Sequence, residues 1–116
     1  MKLNSIFERA VRLCGISEEY LHGNDLLSLR VRALSAINST LFDLCGAEEA
    51  NTLSEDLDIT PAVADAAVYG AAMFISLSDG DTDKSSLFSG VYNAKRAAVK
   101  AETGAVRDVL PETEAV

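Results

Sequence analysis

The sequence predicts an all-α protein, a small bundle of about four helices carrying a short, extended or conditionally ordered C-terminal tail. Three observations predict it. Apolar residues recur at three- and four-residue steps through several segments, the spacing of a helix with one buried face. Helix-starting side chains precede those segments, and glycines follow them. Two Ala-rich apolar stretches, within Asp65–Lys100, flank a short acidic loop, and each carries a mid-segment glycine, Gly70 and Gly90. A glycine inside a helix costs about 1 kcal/mol relative to alanine. Close approach of another backbone compensates that cost, so Ala66, Gly70 and Gly90 are expected at tight helix contacts.

At 116 residues the chain holds one modest core. Residues 1–104 are expected to form the bundle and 105–116 an interaction tail. The first helix is expected to start at Ser5, where Glu8 three residues on completes a capping-box pattern. Ile6, Ala10, Leu13 and Cys14 would share its buried face, with Gly15 ending it. After a polar connection, Asn24 and Asp25 cap a longer second helix to about Leu44. There Leu27, Val31, Leu34, Ile37, Leu41 and Leu44 form the expected inward stripe, and Gly46 is the stop.

Residues 47–58 read as an acidic connector with two anchoring leucines, Leu53 and Leu57. Thr60–Pro61 then places a capping hydroxyl before a proline at the first helical position. The third helix runs to about Ser78 and is apolar nearly all round. That marks it as the central helix, or as one with part of its surface reserved for a neighbouring subunit. The fourth is expected from about Lys84 to Glu102, ended by Gly104, with Leu87, Phe88, Val91, Tyr92, Ala94, Ala98 and Val99 inward. The tail holds an apolar cluster at Val106, Val109 and Leu110, followed by Pro111.

Charge and composition narrow the function. The net charge of −8 disfavours a phosphate backbone or an anionic membrane as primary ligand. No segment reaches the roughly 20 apolar residues of a membrane span. The two cysteines, Cys14 and Cys45, read as buried small hydrophobes in a reducing cytoplasm. Asp79, Asp81 and Asp83 do not follow the spacing of an EF-hand loop, because the glycine is second and Gly90 stands at the twelfth position. They read instead as a turn in which Thr82 or Asp83 caps the fourth helix. His22, the single histidine, has no partner at ligand spacing. No phosphate-binding loop or nucleophile motif appears, so the expectation is a non-enzyme without metal or cofactor. Arg30 and Arg32 on the second helix, with Lys95, Arg96 and Lys100 on the fourth, could suggest nucleic-acid contact, but read rather as a solvated face or as pairs with surplus carboxylates. A third reading sets them against an acidic strip on a neighbouring copy, where they fix register.

The run YGAAMFISLSDGDTDKSSLFSGVYNAKRAA, the earlier INSTLFDL helix and the terminal VLP resemble the small head–tail connector (adaptor, or head-completion) proteins of tailed phages and prophages. The resemblance covers roughly Leu29 to Pro111 and rests on small and apolar residues at helical spacing. It implies a virion protein at the head–tail interface, made in the host cytoplasm. Such proteins form a ring of about a dozen copies, closed by head-to-tail contacts, beneath the portal. The ring extends the channel through which DNA passes and presents a surface to the stopper or tail protein. The resemblance further implies that Arg107, Val109, Leu110 and Pro111 engage the portal or the adjacent subunit. A second reading from the residues alone is a small helical regulator or chaperone-like adaptor that binds one protein partner.

Overall fold

The computed structural model describes residues 1–17 and 23–115, with side chains described through residue 102. Four helices make the fold: α1 (Leu3–Leu13), α2 (Asn24–Cys45), α3 (Pro61–Ser78) and α4 (Thr82–Ala115). There is no strand among the described residues; one isolated antiparallel bridge joins Lys2 to Asp56. Helix α3 packs against all three others and contributes the largest share of the core. Its alanines Ala64, Ala66, Ala67, Ala71 and Ala72 are buried, so neighbouring helices approach its backbone closely.

Local signals account for most boundaries. Thr60 Oγ1 accepts the Val63 amide at 3.2 Å, and Pro61 opens α3. Gly46 ends α2 with φ +68°, a left-handed conformation that glycine adopts without a Cβ clash. At Gly15 φ is +73°.

Other boundaries differ from expectation. Helix α1 begins at Leu3 and not at Ser5, and Lys2 at its N-cap supplies no side-chain bond. Its start is set by tertiary contacts. The Leu3 amide donates to the Glu55 carbonyl at 3.1 Å, the Leu57 amide to the Met1 carbonyl at 2.9 Å, and Leu3 is fully buried. The α4 cap is Asp81, whose carboxylate accepts the Lys84 amide at 3.1 Å, in place of Thr82 or Asp83. Helix α4 also continues past Gly104 to Ala115. A glycine weakens a helix by about 1 kcal/mol but removes no hydrogen bond, so by itself it is not a stop.

The connector of residues 47–58 is stitched to the bundle. Asn38 on α2 donates to the Ala50 carbonyl and accepts the Ala50 amide, both at 2.9 Å. Ala50 and Leu53 are buried beneath it. Glu55 gathers the Asn51 and Thr52 amides within the loop.

Candidate protein-interaction site

The expected inward stripe of α2 holds over its second half, where Ile37, Leu41 and Leu44 are buried and Leu34 packs partly buried against the core, and fails at its start. Leu29, Ala33, Ala36, Ile37, Thr40, Leu41 and Leu44 are buried, whereas Leu27 and Val31 are each 61% exposed. On α4, Leu87, Ala94 and Ala98 also face outward; among its described side chains the buried ones are Ser85, Phe88, Tyr92 and Val99. Both helices have apolar residues on more than one side. Leu29 and Ala33 take the buried positions on the first half of α2, continued by Ala36 and Thr40, which leaves Leu27 and Val31 facing solvent.

The result is an apolar face over α2 and α3. Val31, Ser35, Ala36 and Ser39 on α2, with Phe74, Ile75 and Ser78 on α3, line an open groove of about 480 Å³, with Arg32 at its side. Phe42, 70% exposed, lies beyond Ser39 along the same side of α2, and Leu77, 56% exposed, lines the α4 side of α3 with Ser85 and Ser89. No described element covers this face. Exposed apolar patches of this kind mark interaction surfaces more often than accident. The serines between the large side chains keep the groove shallow-walled and open to another helix.

Of the basic residues on α2 and α4, Arg32, Lys95 and Arg96 pair with carboxylates of the chain, one of the readings the sequence allowed. Arg32 donates through Nη1 to Ser78 Oγ at 2.6 Å and to Asp79 at 3.1 Å. Arg30 stacks over the Phe7 ring, 5.1 Å from its centroid. Lys95 pairs with Asp65, which also accepts Arg9 at 3.0 Å, tying α4, α3 and α1 together. Arg96 binds Asp43 in bidentate fashion at 2.6 and 3.1 Å, and the Tyr92 hydroxyl donates to the same carboxylate at 2.7 Å. The Arg96 guanidinium, then the Tyr92 hydroxyl, hold the Asp43 carboxyl down at about 2. Burial, then the hydrogen bond to Asp43, push the Tyr92 phenol above its usual range. Lys95 hydrogen bonding holds Asp65 below the ordinary carboxylate range.

The small-residue positions separate. At Gly70 an added Cβ would lie 2.5 Å from Thr40 Cγ2 and 2.9 Å from Tyr92 Cε1, and Ala66 is fully buried. Gly90, expected at a similar contact, is exposed with nothing within 4 Å of such a Cβ. Cys14 is buried, and burial raises its thiol pKa. Cys45, expected inside, is exposed just before the Gly46 turn. Asp79 and Asp81 are occupied by Arg32 and by the α4 cap, and no group of three metal-ligating side chains forms among the described residues. His22 lies outside the described residues, and so do the side chains of Arg107, Val109, Leu110 and Pro111.

One signal for the exposed face was present in the sequence. The all-round apolar character of α3 meant that some of its surface would go uncovered. On α2, Leu27, Val31, Ser35, Ser39 and Phe42 form a second helical stripe at three- and four-residue steps beside the alanine-containing one. Compared with protein-family models, curated proteins and solved structures, the chain matches none of them.

Proposed function

We propose that this chain is a structural assembly protein, a head–tail connector that forms a ring under a portal, extends the DNA channel and joins head to tail. The observation that supports this reading is the uncovered apolar face of α2 and α3, a contact surface beside which Arg32 is paired with Asp79. Ring closure needs two different patches per subunit that fit one another, and the tail of residues 105–116 is the other candidate. The surplus of carboxylates, 18 against 10 basic residues, suits a channel lining that DNA passes without adhering.

The test is co-assembly with the portal protein encoded nearest to the gene. The chain alone and the mixture are compared by native mass, with Val109→Asp/Leu110→Asp as the tail variant. The expected result is a ring-sized, portal-bound assembly for the parent chain. The tail variant is expected to lose it while keeping its helical circular dichroism. A chain that ignores the portal sinks the connector reading. In that case the groove, one helix wide, favours a small adaptor that takes a single partner helix.

A further inference from the structure

We infer that the groove between α2 and α3 is the seat for the C-terminal end of α4 from a second copy of this chain. The inference rests on the ring reading for its closure and names the subunit contact within it. Four observations lead there.

The groove is apolar, open and uncovered. Buried Ala36 and Ile75 lie at its base, and exposed Val31, Ser35, Ser39 and Phe74 stand around it. This is the form that receives an amphipathic helix through anchors at i, i+3 and i+4.

The chain supplies such a segment. Val106, Val109 and Leu110 stand at that spacing within the helical span of α4.

Geometry then selects the other copy. Ser85 on α4 bonds the Met73 carbonyl, and Lys95 pairs with Asp65, so α4 runs antiparallel to α3 and leaves the bundle at the Pro61 end. The groove lies toward the opposite end, at Phe74 to Ser78. At 1.5 Å per residue, the 13 residues from Pro61 to Phe74 separate exit and groove by about 20 Å. The continuous helix carries the tail away from its own groove and toward a neighbour's.

Charge agrees with this occupant. Arg32 lines the groove, and its Nη1 serves Ser78 and Asp79 while its Nε has no partner among the described residues. The tail brings Asp108, Glu112 and Glu114. In a chain of net charge −8, copies repel in general, and the Arg32 side of the groove is where an acidic segment approaches at least cost, although Asp79 already pairs with that guanidinium. Groove and tail are different patches, so the contact is head-to-tail and repeats from copy to copy.

Mixed cross-linking reads the contact directly. In a Cys45→Ser background, full-length Ser35→Cys chain is mixed with full-length Leu110→Cys chain and treated with a short bismaleimide. Asn51→Cys, on the connector loop, replaces Ser35→Cys as the collision control. The expected product is a Ser35→Cys/Leu110→Cys heterodimer, at least tenfold above the control pair and lost when Val106 and Val109 are changed to Asp. A cross-link only between two Ser35→Cys chains would overturn the inference in favour of face-to-face pairing. So would a link confined to a single doubly substituted chain, or no link above the control. Portal co-assembly without the cross-link would remove this contact and leave the connector reading; the cross-link without portal binding would do the reverse.

Discussion

Replacing Gly70 with alanine should destabilise the bundle, although the same change in an unobstructed helix stabilises it. In open helix the substitution gains about 1 kcal/mol from lost unfolded-state freedom and better propensity. At Gly70 the new methyl would sit 2.5 Å from Thr40 Cγ2, 3.0 Å from Thr40 Oγ1 and 2.9 Å from Tyr92 Cε1. Neither neighbour yields freely. Thr40 Oγ1 donates to the Ala36 carbonyl at 2.7 Å, and the Tyr92 hydroxyl is tied to Asp43 at 2.7 Å. Overpacking a filled core costs about 1–3 kcal/mol, and displacing Tyr92 weakens a hydrogen bond to a charged acceptor, about 1.5–3 kcal/mol. Against the propensity gain, the net loss is about 1.5–5 kcal/mol, the upper end requiring the Tyr92 bond to be lost outright. Urea unfolding followed by circular dichroism reads this as a midpoint lowered by roughly 1 M or more at ordinary slopes. Gly90→Ala is the internal control, because nothing lies within 4 Å of its Cβ. It should raise stability by about 0.5–1 kcal/mol. An unchanged or raised midpoint for Gly70→Ala would refute the close approach of α2 and α4 at this position.

The remaining predictions concern pairings. Asp43 titrates at about 2 in the folded chain, below its unfolded value. Its contribution is therefore present above about pH 4 and lost as pH falls through 2, and with 40% of the side chain exposed it is roughly 1 kcal/mol. Asp43→Asn should lower stability at pH 7 and flatten the acid limb between pH 4 and 2; a parent-like slope would remove Asp43 as its source. Asn38→Ala leaves the Ala50 amide and carbonyl without their side-chain partner, costing about 1–3 kcal/mol. Hydrogen exchange at Ala50 should accelerate well before exchange in α3 does, and equal protection in both proteins would show that Leu53 burial alone holds the connector.

How much was legible in the sequence depends on how local each signal was. Thr60–Pro61 and Gly46 act through their own backbone neighbours, so the start of α3 and the end of α2 could be read without knowing the fold. Ser5 and Glu8 offered an equally local signal, yet α1 begins at Leu3 because bonds to residues 55 and 57 extend it. Pairing of Lys95 and Arg96 with surplus carboxylates was a reading the sequence allowed, but the partners, Asp65 and Asp43, lie 30 and 53 residues away in sequence. Only folding decides which carboxylate each meets.

By itself, then, the sequence determined that the chain forms four helices, where α2 stops and α3 starts, and that α3 is central. Caps, left-handed glycines and composition act within a turn or two of chain. The tertiary structure decided which side of the first half of α2 is buried, which of Gly70 and Gly90 is a close contact, and that an apolar groove stays open. Two apolar stripes on one helix satisfy the same periodicity. The choice between them falls to the helices packed alongside, and it buries Leu29, Ala33, Ala36 and Thr40 while leaving Leu27 and Val31 to solvent.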